Sequence, residues 1–103
     1  MRVKFTDAYA GLVMSTDMTS FTTTECFDWL KNTHEKHCTW VDKEVADEWD
    51  DFEEGSGYDE HRGECVLMST NEVENENVIF INYMIFCVDK GWIYKSCSFN
   101  RED

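Results

Sequence analysis

The sequence predicts an α+β fold, a single compact domain in which an antiparallel sheet of about three to five strands carries two packed helices. Three observations lead there. The C-terminal third reads as strands joined by a Gly-containing turn, with apolar residues on both faces of its longest run. Between residues 24 and 54, apolar residues recur at steps of three and four, the spacing of helix faces. Seven Phe, four Trp and four Tyr in 103 residues provide a core despite a net charge of −13. No repeat and no boundary divides the chain, so residues 1–103 form one domain.

In chain order, residues 2–6 alternate polar and apolar, with Val3 and Phe5 on one face, and read as a short strand. Residues 11–15 read as a second. Thr22 followed by Glu25 has capping-box form, and a helix is expected from Thr24 to Cys38. Its apolar stripe is Phe27, Leu30, His34 and Cys38, and its surface pairs are Asp28–Lys31 and Lys31–Glu35. Thr39, with Asp42 three residues on, starts a second helix whose inner face is Val41, Val45, Trp49 and Phe52. Gly55 ends it. A flexible acidic loop then runs to Gly63. Residues 65–69 form a strand and 70–77 a polar connection. Residues 78–88 form the central strand, which turns at Asp89-Lys90-Gly91 into a hairpin partner over 92–99.

Charge is where the chain departs most from an ordinary domain. Residues 41–60 hold ten carboxylates and one cation, Lys43, and so nine of the thirteen net negative charges. On a helix advancing about 100° per residue, Asp47, Asp50, Asp51 and Glu54 point away from the apolar stripe, with Glu44 and Glu53 on its flanks. Glu44–Glu48, Asp47–Asp51 and Asp50–Glu54 are like-charged i,i+4 pairs, each costing roughly 0.2–0.5 kcal/mol. Selection for stability alone does not produce such a face. The net charge disfavours direct binding to nucleic acid or to an anionic membrane and favours a basic protein partner. Carboxylates three and four residues apart on a helix lie about 5–6 Å apart at Cβ, near the spacing of successive phosphates. The expected site is therefore Asp47, Asp50, Asp51 and Glu54, surrounded by Glu44, Glu53, Asp59 and Glu60, with Tyr58 as an exposed aromatic anchor. Glu72, Glu74 and Glu76 are placed to extend the row, whereas Trp40 and Trp92 are expected in the core.

In size, charge and compactness the chain resembles the small acidic inhibitors encoded by bacteriophages and other mobile elements. Those proteins block restriction enzymes, CRISPR effectors and DNA glycosylases by mimicking DNA. The resemblance rests on no aligned motif and carries over no residue role. It implies a non-enzymatic viral protein of anti-restriction or anti-CRISPR type, occupying the nucleic-acid site of a host or defence protein in the cytoplasm. The competing reading is a protein-interaction regulator bound through the C-terminal hairpin, with the acidic face serving solubility alone.

Other chemistries find less support. The five cysteines include no C-x-x-C pair and are expected to be reduced, in a cytosolic protein. His34, His37 and Cys38 form H-x-x-H-C, with His61 close to Cys65, but match no standard zinc spacing. The acids around Gly55-Ser56-Gly57 miss the EF-hand pattern, since the sixth position from Asp51 is Ser56. No metal site and no cofactor are expected. There is no G-x-S-x-G, Walker or H-E-x-x-H motif, so no catalytic residue is assigned. A small metal-dependent or cysteine-based enzyme is the third and weakest reading. The longest apolar run, Val78–Phe86, is broken by Asn82 and too short for a membrane span, and the first residues lack signal-peptide form.

Overall fold

The computed structural model describes residues 1–49, 52, 59–73 and 77–102. Six strands make one sheet: β1 (Arg2–Asp7), β2 (Leu12–Asp17), β3 (Thr39–Val41), β4 (Glu64–Val73), β5 (Val78–Cys87) and β6 (Gly91–Arg101). Their order is β2-β1-β6-β5-β4-β3. All neighbours run antiparallel except β3, which pairs parallel to β4. The sheet is thus six-stranded and mixed, where the sequence suggests three to five antiparallel strands. The two differences share a cause in non-local pairing. The Thr39 N–H donates to the Gly63 carbonyl at 2.7 Å, which zips Thr39-Trp40-Val41 onto β4 instead of letting it open a helix. β4 itself continues through polar Ser69–Glu72, because the adjacent β5 offers a full ladder of backbone partners to Val73.

The central position expected of residues 78–88 holds, since β5 lies between β6 and β4. The hairpin to β6 closes with Gly91 at φ +77°, a conformation that favours glycine. Alternation along the strands gives the sheet two buried patches on opposite faces. Val3, Phe5, Ile79, Ile81, Tyr83, Cys97 and Phe99 line the first, covered by Cys26, Leu30 and Met18. Val66, Phe86 and Trp92 line the second, covered by Ala46 and Phe52 with Trp49 and Met84 at the margin.

The first helix, α1 (Thr23–Trp29), begins as expected: Thr22 Oγ1 accepts from the Glu25 N–H at 3.1 Å. It does not run to Cys38. A single π-turn, Leu30–His34, follows, closed by the Glu35 N–H on the Leu30 carbonyl at 2.8 Å. The wider turn brings Glu35 beneath Leu30 and toward the sheet. An uninterrupted α-helix would have left it on the surface beside Lys31. Of the two expected surface pairs, Asp28–Lys31 exists at 3.6 Å, while Glu35 is buried and bonded elsewhere.

The acidic helix is corrected more heavily. Among the described residues it is one turn, α2 (Lys43–Ala46). Val41 belongs to β3, Val45 is 48% exposed, and Ala46 takes the buried place. Trp49 and Phe52 do turn inward, packing against Trp92 at centroid distances of 5.8 and 5.1 Å. The inner face is therefore Ala46, Trp49 and Phe52, with Val41 displaced into the sheet. A helix this short draws its order from such packing rather than from its own propensity, and repelling carboxylates give it no help.

Candidate functional site

Charged side chains gather in an exposed region around α2 and in a buried one beside β1 and β6. In the exposed region, Glu44 and Asp47 are solvent-facing on α2 and just after it. Asp47 Oδ2 accepts from Lys43 Nζ at 2.9 Å, so the lone cation of the stretch is paired with one of the expected site residues. Asp59 begins a short 3-10 turn, Asp59–His61. Glu60 is exposed, with Oε1 3.8 Å from His61 Nε2. Asp50, Asp51, Glu53, Glu54 and Tyr58 lie outside the described residues, as do Glu74 and Glu76. Glu72 is exposed and accepts a hydrogen bond from Thr23 Oγ1, which ties it to the start of α1. Trp40 packs between Phe27 and Tyr83, and Trp92 within the second patch, as expected of core residues. Both indole N–H groups are buried without a partner among the described residues.

The buried region was not singled out by the sequence. It sits where the end of the π-turn meets the sheet, on the face that also holds Phe5 and Phe99. Asp7 on β1 is fully buried. Its Oδ2 meets His34 Nε2 at 2.7 Å and Lys95 Nζ at 3.1 Å, and its Oδ1 accepts from the Ala10 N–H at 3.0 Å. Lys95 Nζ also donates to Glu35 Oε1 at 3.2 Å. The Tyr83 hydroxyl donates to the same oxygen at 2.9 Å. Glu35 Oε2 accepts from Cys38 Sγ at 3.4 Å. Two carboxylates, one ammonium, an imidazole, a phenol and a thiol therefore form one connected network.

Electrostatics accounts for the state of its members. Burial by itself would raise the Asp7 carboxyl, but the Ala10 N–H, His34 and Lys95 outweigh it and hold the group below the ordinary carboxylate value. Burial likewise works against the Lys95 ammonium, and Asp7 and Glu35 overcome it, lifting Lys95 above its usual value. Burial and then Glu35 push the Tyr83 phenol strongly up, so it stays a hydrogen-bond donor. The Cys65 thiol is pushed strongly up, first by its hydrogen bond with Cys38 and then by burial. Burial, and then nearby carboxylates, push Cys26 and Cys97 up to about 12.

The structure thus separates the H-x-x-H-C residues. His34 turns to Asp7, Cys38 turns to Glu35 and Cys65, and His37 is exposed. All five cysteines are unpaired with one another as disulfides in this structure. The alternation of the strands did contain a signal for the buried region. Asp7 shares parity with Val3 and Phe5, and Lys95 with Ile93, Cys97 and Phe99, so a carboxylate and an ammonium stand at inward positions.

No helix among the described residues is long and apolar enough to cross a membrane. Comparison with protein-family models, curated proteins and solved structures finds no match to this chain.

Proposed function

We propose that this chain is a non-enzymatic acidic inhibitor that occupies the basic nucleic-acid-binding site of a partner protein, as a mimic of the DNA backbone. The observation that carries this reading is the density of charge on the body. Its longest extent is 43 Å and its net charge is −13, one net negative charge per about 3.3 Å. A single strand of B-form DNA carries one per about 3.4 Å. The other two extents, 23 and 18 Å, make the body a rod suited to a cleft. Glu44, Asp47 and Glu60 stand in solvent, and Asp50, Asp51, Glu53, Glu54 and Asp59 add charge within the same stretch. The partner is a host or defence protein of restriction, CRISPR or repair type, met in the cytoplasm.

A second reading has its own support. The β5–β6 hairpin exposes Phe80 (38%), Val88 (42%) and Tyr94 (54%), an apolar set suited to a partner recognised without charge. Retention of partners from bacterial lysate separates the two. Wild type is compared with a variant in which Asp47, Asp50, Asp51 and Glu54 become Asn or Gln. A nucleic-acid-binding protein held by wild type alone, and released by added DNA and by raising salt from about 50 to 200 mM, supports mimicry. The same partner held by both forms, insensitive to salt, moves the interface to the hairpin and overturns it.

A further inference from the structure

We propose that Glu35, Cys38 and Cys65 form a binding site for one divalent metal ion of the zinc class, with two thiolates and one carboxylate oxygen as ligands and a fourth position open. One ligand atom from each of the three lies within 4.8 Å of the others. A tetrahedral zinc ion with bonds of about 2.3 Å to sulfur and 2.0–2.2 Å to oxygen has sulfur–oxygen edges of about 3.5–3.7 Å and a sulfur–sulfur edge of about 3.8 Å. Cys38 Sγ to Glu35 Oε2 is already 3.4 Å, so the ion requires shifts of only a few tenths of an ångström along that edge.

The carboxylate is oriented for this role. Tyr83 OH and Lys95 Nζ both bond to Glu35 Oε1, which leaves Oε2 to Cys38 Sγ. Such outer partners are what hold a metal-ligating carboxylate in place. The backbone is fixed as well. Glu35 and Cys38 follow the π-turn, and Cys65 lies on β4, directly opposite Trp40 in the parallel ladder that the Thr39–Gly63 bond begins. Cys38 is partly exposed and Cys65 is buried, so an ion enters from the Cys38 side.

The neighbouring triad, Asp7, His34 and Glu35, also brings three ligand atoms together, but both of its carboxylates, and so two of its three ligands, already share the Lys95 ammonium at 3.1 and 3.2 Å. In the thiol triad Lys95 reaches only the far oxygen, Glu35 Oε1, and the two thiols and Oε2 have no cation against them among the described residues. Binding replaces two thiol protons, released to solvent, with one dication, so the net charge of this buried corner is unchanged. Two soft sulfur ligands select zinc-class ions over magnesium or calcium. The surface carboxylates have the opposite preference.

The test uses reduced, metal-free protein titrated with cobalt(II) alone. A thiolate-to-cobalt charge-transfer absorption that saturates at one equivalent, and that zinc abolishes, is the expected result. Cys38→Ser should cut its intensity about in half and weaken zinc binding at least tenfold, whereas Cys87→Ser should leave both unchanged. Absence of the charge-transfer band, or the same band in Cys38→Ser, overturns the site. If Cys38→Ser does not fold, zinc protection against alkylation decides on wild type. Slower alkylation of the partly exposed Cys38 with zinc, and unchanged alkylation of Cys87, supports the site, and no protection of Cys38, or equal protection of Cys87, refutes it.

Discussion

The same residue types play opposite parts in the two ionic regions. Around α2, the described carboxylates Glu44, Asp47 and Glu48 are exposed, and Asp47 is paired with Lys43. Where the π-turn meets β1 and β6, Asp7 and Glu35 are buried and each is bonded by several groups. An exposed ion pair contributes little because water screens it and ordering two side chains costs entropy. A buried carboxylate is tolerated only because its partners replace the water it lost, so removing one partner leaves an uncompensated charge. The first region can therefore change at little cost to stability, whereas the second cannot.

The largest expected effect breaks the buried region at its cation. Lys95→Met leaves two buried carboxylates facing one another and should lower stability by about 3–5 kcal/mol in urea denaturation. A loss below about 1 kcal/mol would show that water enters the corner readily. The pH dependence sharpens the same point. The Asp7 carboxyl is held low in the folded state, so its contribution is present above the unfolded value, near 3.8, and is lost as pH falls through the folded one. Lys95 is held high, so its contribution is complete below the ordinary value of 10.5 and is lost as pH rises through the folded value. Asp7→Asn should remove its share of the acid limb of the stability profile and leave His34 with Glu35, at 3.6 Å, as its carboxylate neighbour. A profile as steep as wild type below the unfolded value near 3.8 would assign the acid limb to other carboxylates.

An intermediate effect is expected at the N-terminus of α1, where the path toward the buried corner begins. Thr22→Ala removes the cap on the Glu25 N–H and should cost about 1 kcal/mol. Thr22→Ser retains the hydroxyl and should recover most of that. Equal losses in both would mean that the cap bond is not what holds the helix start.

How much of this could be read from the sequence depended on the range of the interactions involved. β1, β5 and β6 are legible because Val3 and Phe5, Ile79 and Ile81, and Cys97 and Phe99 keep strict alternation or long apolar runs. The Thr22 cap is legible because its partner is three residues away. β3 is not, since Thr39–Val41 becomes a strand only through a parallel partner more than twenty residues further on. Apolar spacing suggested a long second helix, yet that spacing counted Val41, which the sheet claims, and Val45, which faces solvent. The buried corner was the least legible. Asp7 and Lys95 come from opposite ends of the chain, and Glu35 joins them only because a π-turn rotates it inward.

The smallest effect on stability is expected where the binding reading predicts the greatest effect on function. Converting Asp47, Asp51 and Glu54 together to Asn, Asn and Gln should change folding stability by no more than about 0.5 kcal/mol in either direction. Two terms of similar size oppose each other. The Lys43–Asp47 pair, with side chains 46% and 44% exposed, is lost, and exposed helix pairs contribute about 0.3–0.5 kcal/mol. Relief of like-charge crowding along the stretch returns a similar amount. If urea denaturation shows the variant as stable as wild type while lysate partners are lost, the acids serve binding rather than folding. A loss above about 2 kcal/mol would instead show that these acids have structural partners, and that the exposed region is organised more like the buried one.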